Sequence, residues 1–283
     1  MNGIQRGVHQ SFNIRRDIET GSHEARHMVS EQLAAISTVL HEARPRRGAR
    51  AHGLPRLLRA AVRSGDLGLA RIPRERLAAP SDAGWQASLI WSHPAHGPRP
   101  VSIGPALRCG LAGALTDRAL HAACLATAAP VALPIYDLAE DLPRRVAAAL
   151  GRSGLAPAFL ELQIAERLLR RADVDIVLRL CELRDLGVGV ALHRFGAGGT
   201  SLDLLRRLPL SGITLDPALI RNVPGDASSA AILRAVIAAA QAFDLPVTAD
   251  GIETPAQLDF LRAAGCSFGQ GALIGQNRGM TKP

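Results

Sequence analysis

Short apolar runs alternate with longer helical patterns through most of the chain. Phe159 to Ile164 and Gly189 to Leu192 read as strands, and Asp173 to Asp185 between them carries apolar residues at helical spacing. The alternation continues through Ser201 to Leu208 (helix), Gly212 to Leu215 (strand), Ser228 to Phe243 (helix), Pro246 to Ala249 (strand), Pro255 to Ala264 (helix) and a last short strand near Ala272. Such a rhythm predicts βαβ units with parallel strands. Four parallel strand ends in the C-terminal half make half of a barrel. In barrels of this kind the chemistry sits just after each strand, which nominates Gln163, His193, Arg194, Thr214, Asp250 and Gln270.

The N-terminal region follows a different pattern. Ser22 to Arg44 places Met28, Leu33, Ile36, Val39 and Leu40 at helical spacing, with Ser22 as N-cap and Pro45 ending the run. Arg44 to Arg50 has the charge and breaker residues of an exposed linker. These features predict an extension over residues 1–54, with one amphipathic helix and a basic linker, ahead of a single domain over 55–283. A chain of 283 residues that is 47% hydrophobic can bury one large core.

Residues 1–17 carry Arg6, Arg15 and Arg16 with no apolar run behind them, unlike a signal peptide. The most apolar long stretch, Ala230 to Phe243, is interrupted by Arg234 and is too short for a bilayer. A cytoplasmic protein without membrane contact is the expectation. The four cysteines, Cys109, Cys124, Cys181 and Cys266, form no CxxC pair, which argues against a zinc site or a disulfide framework. The net charge is +8, carried almost wholly by arginine, with Lys282 the only lysine. Aromatic residues make up 3% of the chain, too few for base-stacking platforms, so nucleic acid is not the expected partner even with the Arg46, Arg47 and Arg50 cluster.

An ordered set of motifs then narrows the family. His193-Arg-Phe-Gly-Ala-Gly-Gly-Thr-Ser201 resembles the DDFGTGYSS motif of EAL domains. At matching distances, Ile213-Thr-Leu-Asp216 resembles LKID, Ala249-Asp-Gly-Ile-Glu-Thr254 resembles AEGVET, and Gly265-Cys-Ser-Phe-Gly-Gln-Gly271 resembles GCDYGQG. Upstream, Leu160-Glu-Leu-Gln-Ile-Ala-Glu166 resembles LELEITE, and Gln86-Ala-Ser-Leu-Ile-Trp91 with His93-Pro94 resembles EALLRW and its HP pair. Leu57 to Pro73 resembles the opening helix and the YQP strand. The glycine-rich loop Phe195 to Gly199 lacks the Lys-Ser/Thr ending of a P-loop and falls inside this register. His93 and His96 read as a solvated loop rather than a metal pair.

The resemblance implies an α/β fold, a modified TIM-type (β/α)8 barrel that binds cyclic di-GMP across its strand ends. In active members of the family, a pair of divalent metals opens one phosphodiester bond. Two hard cations need several anionic oxygens to offset their repulsion and orient water. Aligned on the family, those ligands are replaced here: Gln86 for the Glu of EAL, Ala132 for an Asn, Gln163 for the Glu of EITE, and His193 and Arg194 for the double Asp. Thr214 stands for the lysine of LKID, and Asp250 for the first Glu of AEGVE. Glu166, Asp216, Glu253 and Gln270 match the family. Ile72 and Ile90 replace its ligand-contacting Gln and Arg.

From these replacements follow the expectations of no metal, no cofactor, no catalytic residue and no enzyme activity. The preferred reading is a degenerate EAL regulator that docks on a protein partner, with homodimerisation through barrel-face helices as one form of association. The alternative is a non-hydrolysing cyclic di-GMP receptor with Arg194 and Gln270 as nucleotide contacts. An active phosphodiesterase comes third. Arg194 is expected to pair with Asp216 or Glu253.

Overall fold

Gly212–Leu215 is buried at every position and Leu160–Ala165 at most, as expected of parallel strands covered on both faces. The computed structural model describes residues 54–64, 66–93, 97–126, 129–169, 174–196 and 203–277. The Ser22 to Arg44 helix, the Arg44 to Arg50 stretch, the boundary near His52, His96 and most of the Phe195 to Gly199 loop lie outside the described residues.

The strands are β1 (Leu67–Arg76), β2 (Ser81–His93), β3 (Gly97–Pro100), β4 (Val131–Ile135), β5 (Leu160–Ala165), β6 (Gly189–Phe195), β7 (Gly212–Leu215), β8 (Val247–Asp250) and β9 (Phe268–Gln270). The helices are α1 (Leu54–Ser64), α2 (Ile103–Arg108), α3 (Ala112–Leu125), α4 (Leu142–Ser153), α5 (Val174–Asp185), α6 (Asp203–Arg207), α7 (Pro217–Ile220), α8 (Ala227–Gln241), α9 (Pro255–Ala263) and α10 (Ala272–Asn277).

The sheet order is β1-β9-β8-β7-β6-β5-β4-β2-β3, and a further β1–β2 pairing closes eight of these strands into a ring, with β3 hairpinned onto β2 outside it. Strand β1 runs antiparallel to both of its neighbours, β2 and β9. From β2 through β4 to β9 the ring is parallel. This is the modified (β/α)8 barrel, with one reversed strand.

The strands feed two cores. Side chains such as Leu133, Leu162, Ile164, Leu192, Ile213 and Val247 are at most 1% exposed and belong to the apolar cluster shared with the helices. Alternate residues line a polar lumen in which Arg74, Gln86, Gln163, Thr214, Thr248 and Gln270 are all buried.

The strand expected near Ala272 lies earlier, at Phe268–Gln270, and Ala272 begins α10. A short apolar run does not by itself distinguish strand from helix. The break is set by Gly271, whose φ of 145° suits glycine and whose Cβ, were there one, would sit 2.3 Å from the Ile252 amide nitrogen.

Capping explains several boundaries. Thr254 and Gln257 form a reciprocal capping box at the start of α9, followed by Pro255 in the first turn. Replacing Thr254 with Ala should lower stability by about 1 kcal/mol, read as a shift in the urea midpoint at unchanged slope.

Candidate functional site

Parallel strands all ending at one rim bring the nominated residues together. On β5, Glu161 and Gln163 face the lumen two residues apart. The Gln163 side-chain amide donates to the Thr214 hydroxyl on β7 at 3.2 Å and to Glu161 at 3.4 Å. On β9, the Gln270 Nε2 group donates to Gln86 Oε1 at 2.9 Å and to Asp250 Oδ1 at 3.0 Å, tying β2, β8 and β9 at the same level. The Gln163 and Gln270 side-chain oxygens are buried with no partner.

Asp216 follows β7 and caps α7, its Oδ1 accepting from the Ala218 amide at 2.9 Å. Its Oδ2 faces Arg194 Nε at 3.6 Å, so of the two expected acidic partners Arg194 takes Asp216. Arg194 lies where the β6–β7 register shifts between Leu192 and Phe195, in a left-handed conformation with φ of 57°. Bulges of this kind re-aim side chains beside active sites. The Arg194 side chain remains 54% exposed.

His193 has a buried, unpartnered Nδ1. Burial, and secondly the Arg194 charge, pull its pKa from 6.5 to about 3, so the ring is neutral. Burial raises the Asp250 carboxyl above the usual range, with the Gln270 hydrogen bond and the Arg194 charge opposing.

Other nominated positions stand apart. Ala132 contributes no polar side chain. Glu166 is buried in the short turn after β5, and the Glu253 backbone amide donates to Gln257 at the start of α9. Sequence reasoning missed Arg74 and Glu161, which pair at 3.0 Å in the lumen beneath Gln163, with Arg74 also donating to Thr248 at 3.0 Å. Glu161 could have been found by counting two residues back from Gln163, because strand periodicity puts both on one face.

The EAL domain model matches residues 56–277. The chain belongs to the EAL family. A cyclic di-GMP phosphodiesterase of Pseudomonas aeruginosa, NbdA, is 36% identical over 236 residues, covering 77% of this chain and 30% of its own length. An uncharacterised protein of Mycobacterium tuberculosis H37Rv is 33% identical over 241 residues, 78% of each chain. The solved MucR phosphodiesterase, in complex with cyclic di-GMP, is 30% identical with a TM-score of 0.71 over 78% of this chain and 96% of that one. This EAL domain thus spans about 30% of the length of NbdA. Among the described residues, no helix is long and apolar enough to cross a membrane.

The naming of these relatives overturns the expectation that the chain is no enzyme. The step from replaced carboxylates to lost activity was too long: ligand loss argues against one way of binding cations, whereas the barrel, its mouth, Asp216 and Gln270 persist.

The fit of the family's metal pair to this EAL domain is a separate matter. Gln86 Oε1 and Asp250 Oδ1 accept from Gln270, the Thr214 hydroxyl accepts from Gln163, and both Asp216 oxygens have partners. Among the described residues, no three His, Cys, Asp or Glu side chains cluster as a metal site. A dication about 5 Å from a guanidinium is repelled by roughly 7 kcal/mol at an effective dielectric near 20. The donor set does not fit two hard cations.

The neutral His193 makes a pH prediction. Because its folded pKa lies below its unfolded value, the unfolded chain takes up the proton first as pH falls. The contribution is complete above about pH 6.5 and is lost progressively toward pH 3. Between neutral pH and about pH 5, wild-type urea midpoints should therefore fall more steeply than those of His193→Asn.

Proposed function

We propose that this EAL domain serves cyclic di-GMP signalling by binding that nucleotide across the mouth of the barrel. The observation that carries the reading is the exposed Arg194 guanidinium at the rim, above the Gln270 amide bridge. Cyclic di-GMP presents two phosphodiester anions, and arginine recognises such oxygens through its planar set of donors. Support comes also from the family match, from the names of the relatives, and from the MucR structure with the same nucleotide bound. Ile72 and Ile90 stand where the family carries polar ligand contacts, so those two contacts are missing from this mouth and more of the recognition falls to Arg194.

Isothermal titration with cyclic di-GMP tests the reading, with saturable binding the expected result and no heat at micromolar nucleotide the result that would sink it. Assay of the same sample for the linear dinucleotide shows whether binding is followed by ring opening.

A second reading, docking on a protein partner, has the outward face of α5 in its favour. There Val174 and Leu178, one helical turn apart, are 73% and 55% exposed. If a second copy covers this face, light scattering should show a dimer for wild type and a monomer for the Val174→Glu, Leu178→Glu double variant. A wild-type monomer at high concentration would count against self-association.

A further inference from the structure

We propose that Arg194 takes the place of divalent cations at this mouth, so that a phosphodiester is held there by a guanidinium and without a metal. The inference rests on the nucleotide-binding reading and goes one step further, to the source of the positive charge.

Three observations converge. Gln86 Oε1 and Asp250 Oδ1 are already engaged by the Gln270 amide, Thr214 by Gln163, and Asp216 by the Ala218 amide and Arg194, and the Gln163 and Gln270 oxygens left open carry no anionic charge to offset two cations. The guanidinium stands at the strand ends beside Asp216, more than half exposed, and its field reaches both His193 and Asp250. Beneath it lie two uncharged amides: the Gln163 and Gln270 side chains are fully buried, and each keeps one carbonyl oxygen with no partner. Such oxygens accept from a water or from a ligand N–H, and they bring no negative charge to compete with a phosphate.

The same geometry explains how release would occur. The Arg194 to Asp216 separation is long for an ion pair, at 3.6 Å. The guanidinium can exchange that exposed contact for a phosphodiester oxygen.

The test has a metal arm and a nucleotide arm. With manganese alone, paramagnetic resonance of the wild-type protein should show the ion free and the melting temperature unmoved. Saturable manganese binding below millimolar would overturn the proposal. With cyclic di-GMP, the dissociation constant should agree within about twofold between magnesium and EDTA buffers. Arg194→Gly should weaken binding at least about tenfold, or about 1.4 kcal/mol, and Arg194→Lys should recover part of it. Glycine is at ease at the φ of 57° found here, so that variant should fold, which its urea midpoint checks. Binding confined to magnesium, or unchanged in Arg194→Gly, overturns the role of Arg194 while leaving nucleotide recognition standing. A wild-type protein that binds in neither buffer overturns the recognition reading itself, and the role of Arg194 with it.

Discussion

The side-chain amide of Gln270 fixes the arrangement of the barrel mouth. It is fully buried at the end of β9, and its nitrogen donates both to Gln86 on β2 and to Asp250 on β8. The backbone carbonyl of the same residue accepts from the Gly251 and Ile252 amides, which holds the loop after β8 against β9. One neutral group thus ties three strands across the region where the reversed β1 completes the ring. Because the Gln270 amide is itself uncharged, it avoids the several kcal/mol that an unpaired buried ion at that position would cost. Gln86 and Gln163 extend the same logic: uncharged amides at these positions need no counter-ion to balance them.

Charge is confined to the two ends of this lumen. Deep inside, Arg74 and Glu161 pair at 3.0 Å with side chains 9% and 26% exposed, beside a cavity of about 10 Å³ that also touches Thr248 and Phe268. Removing Glu161 would leave the buried Arg74 guanidinium without its counter-charge, a loss of up to roughly 3–5 kcal/mol, whereas Glu161 itself is partly exposed. At the rim, Arg194 and Asp216 pair at 3.6 Å with the arginine largely in solvent, a geometry worth roughly 0–1 kcal/mol. The inner pair is therefore a fixture of the fold and the outer one is exchangeable. Gln163 spans the interval, donating down to Glu161 and across to Thr214.

The alternation of strand and helix was legible from the sequence because the parallel strands are covered on both faces and read as continuous apolar runs. Gly212–Leu215 matches the apolar run residue for residue. The last strand lies at Phe268–Gln270 rather than near Ala272, since Ala272 to Ile274 is as apolar as a strand and only the backbone of Gly271 marks the change. At the site, the nominated strand-end residues do converge, because barrel topology sends every parallel strand to one rim. What the sequence could not supply was the pairing within that set. That Gln270 would bridge Gln86 and Asp250, 184 and 20 residues away in the chain, depends on the closing register. The inward-facing Arg74 was hidden because β1 is reversed, and its pairing with Glu161 spans 87 residues.

Magnitudes also decide what holds Arg194 in its unusual backbone conformation. A left-handed φ costs a non-glycine residue roughly 1–2 kcal/mol, more than the exposed pair with Asp216 can return. The ion pair is therefore not the cause of the conformation. The cause is the register shift between Leu192 and Phe195, which the chain needs so that Phe195 can pair with Leu215 and bury its ring at 3% exposure. With the backbone set by the barrel, whatever residue occupies position 194 is turned toward the rim. An aspartate there would add a charge of one sign and an arginine adds the other, without altering the strands beneath. Fold and site chemistry are separable at this position, and the barrel delivers a positive charge to the mouth at little cost to the packing that supports it.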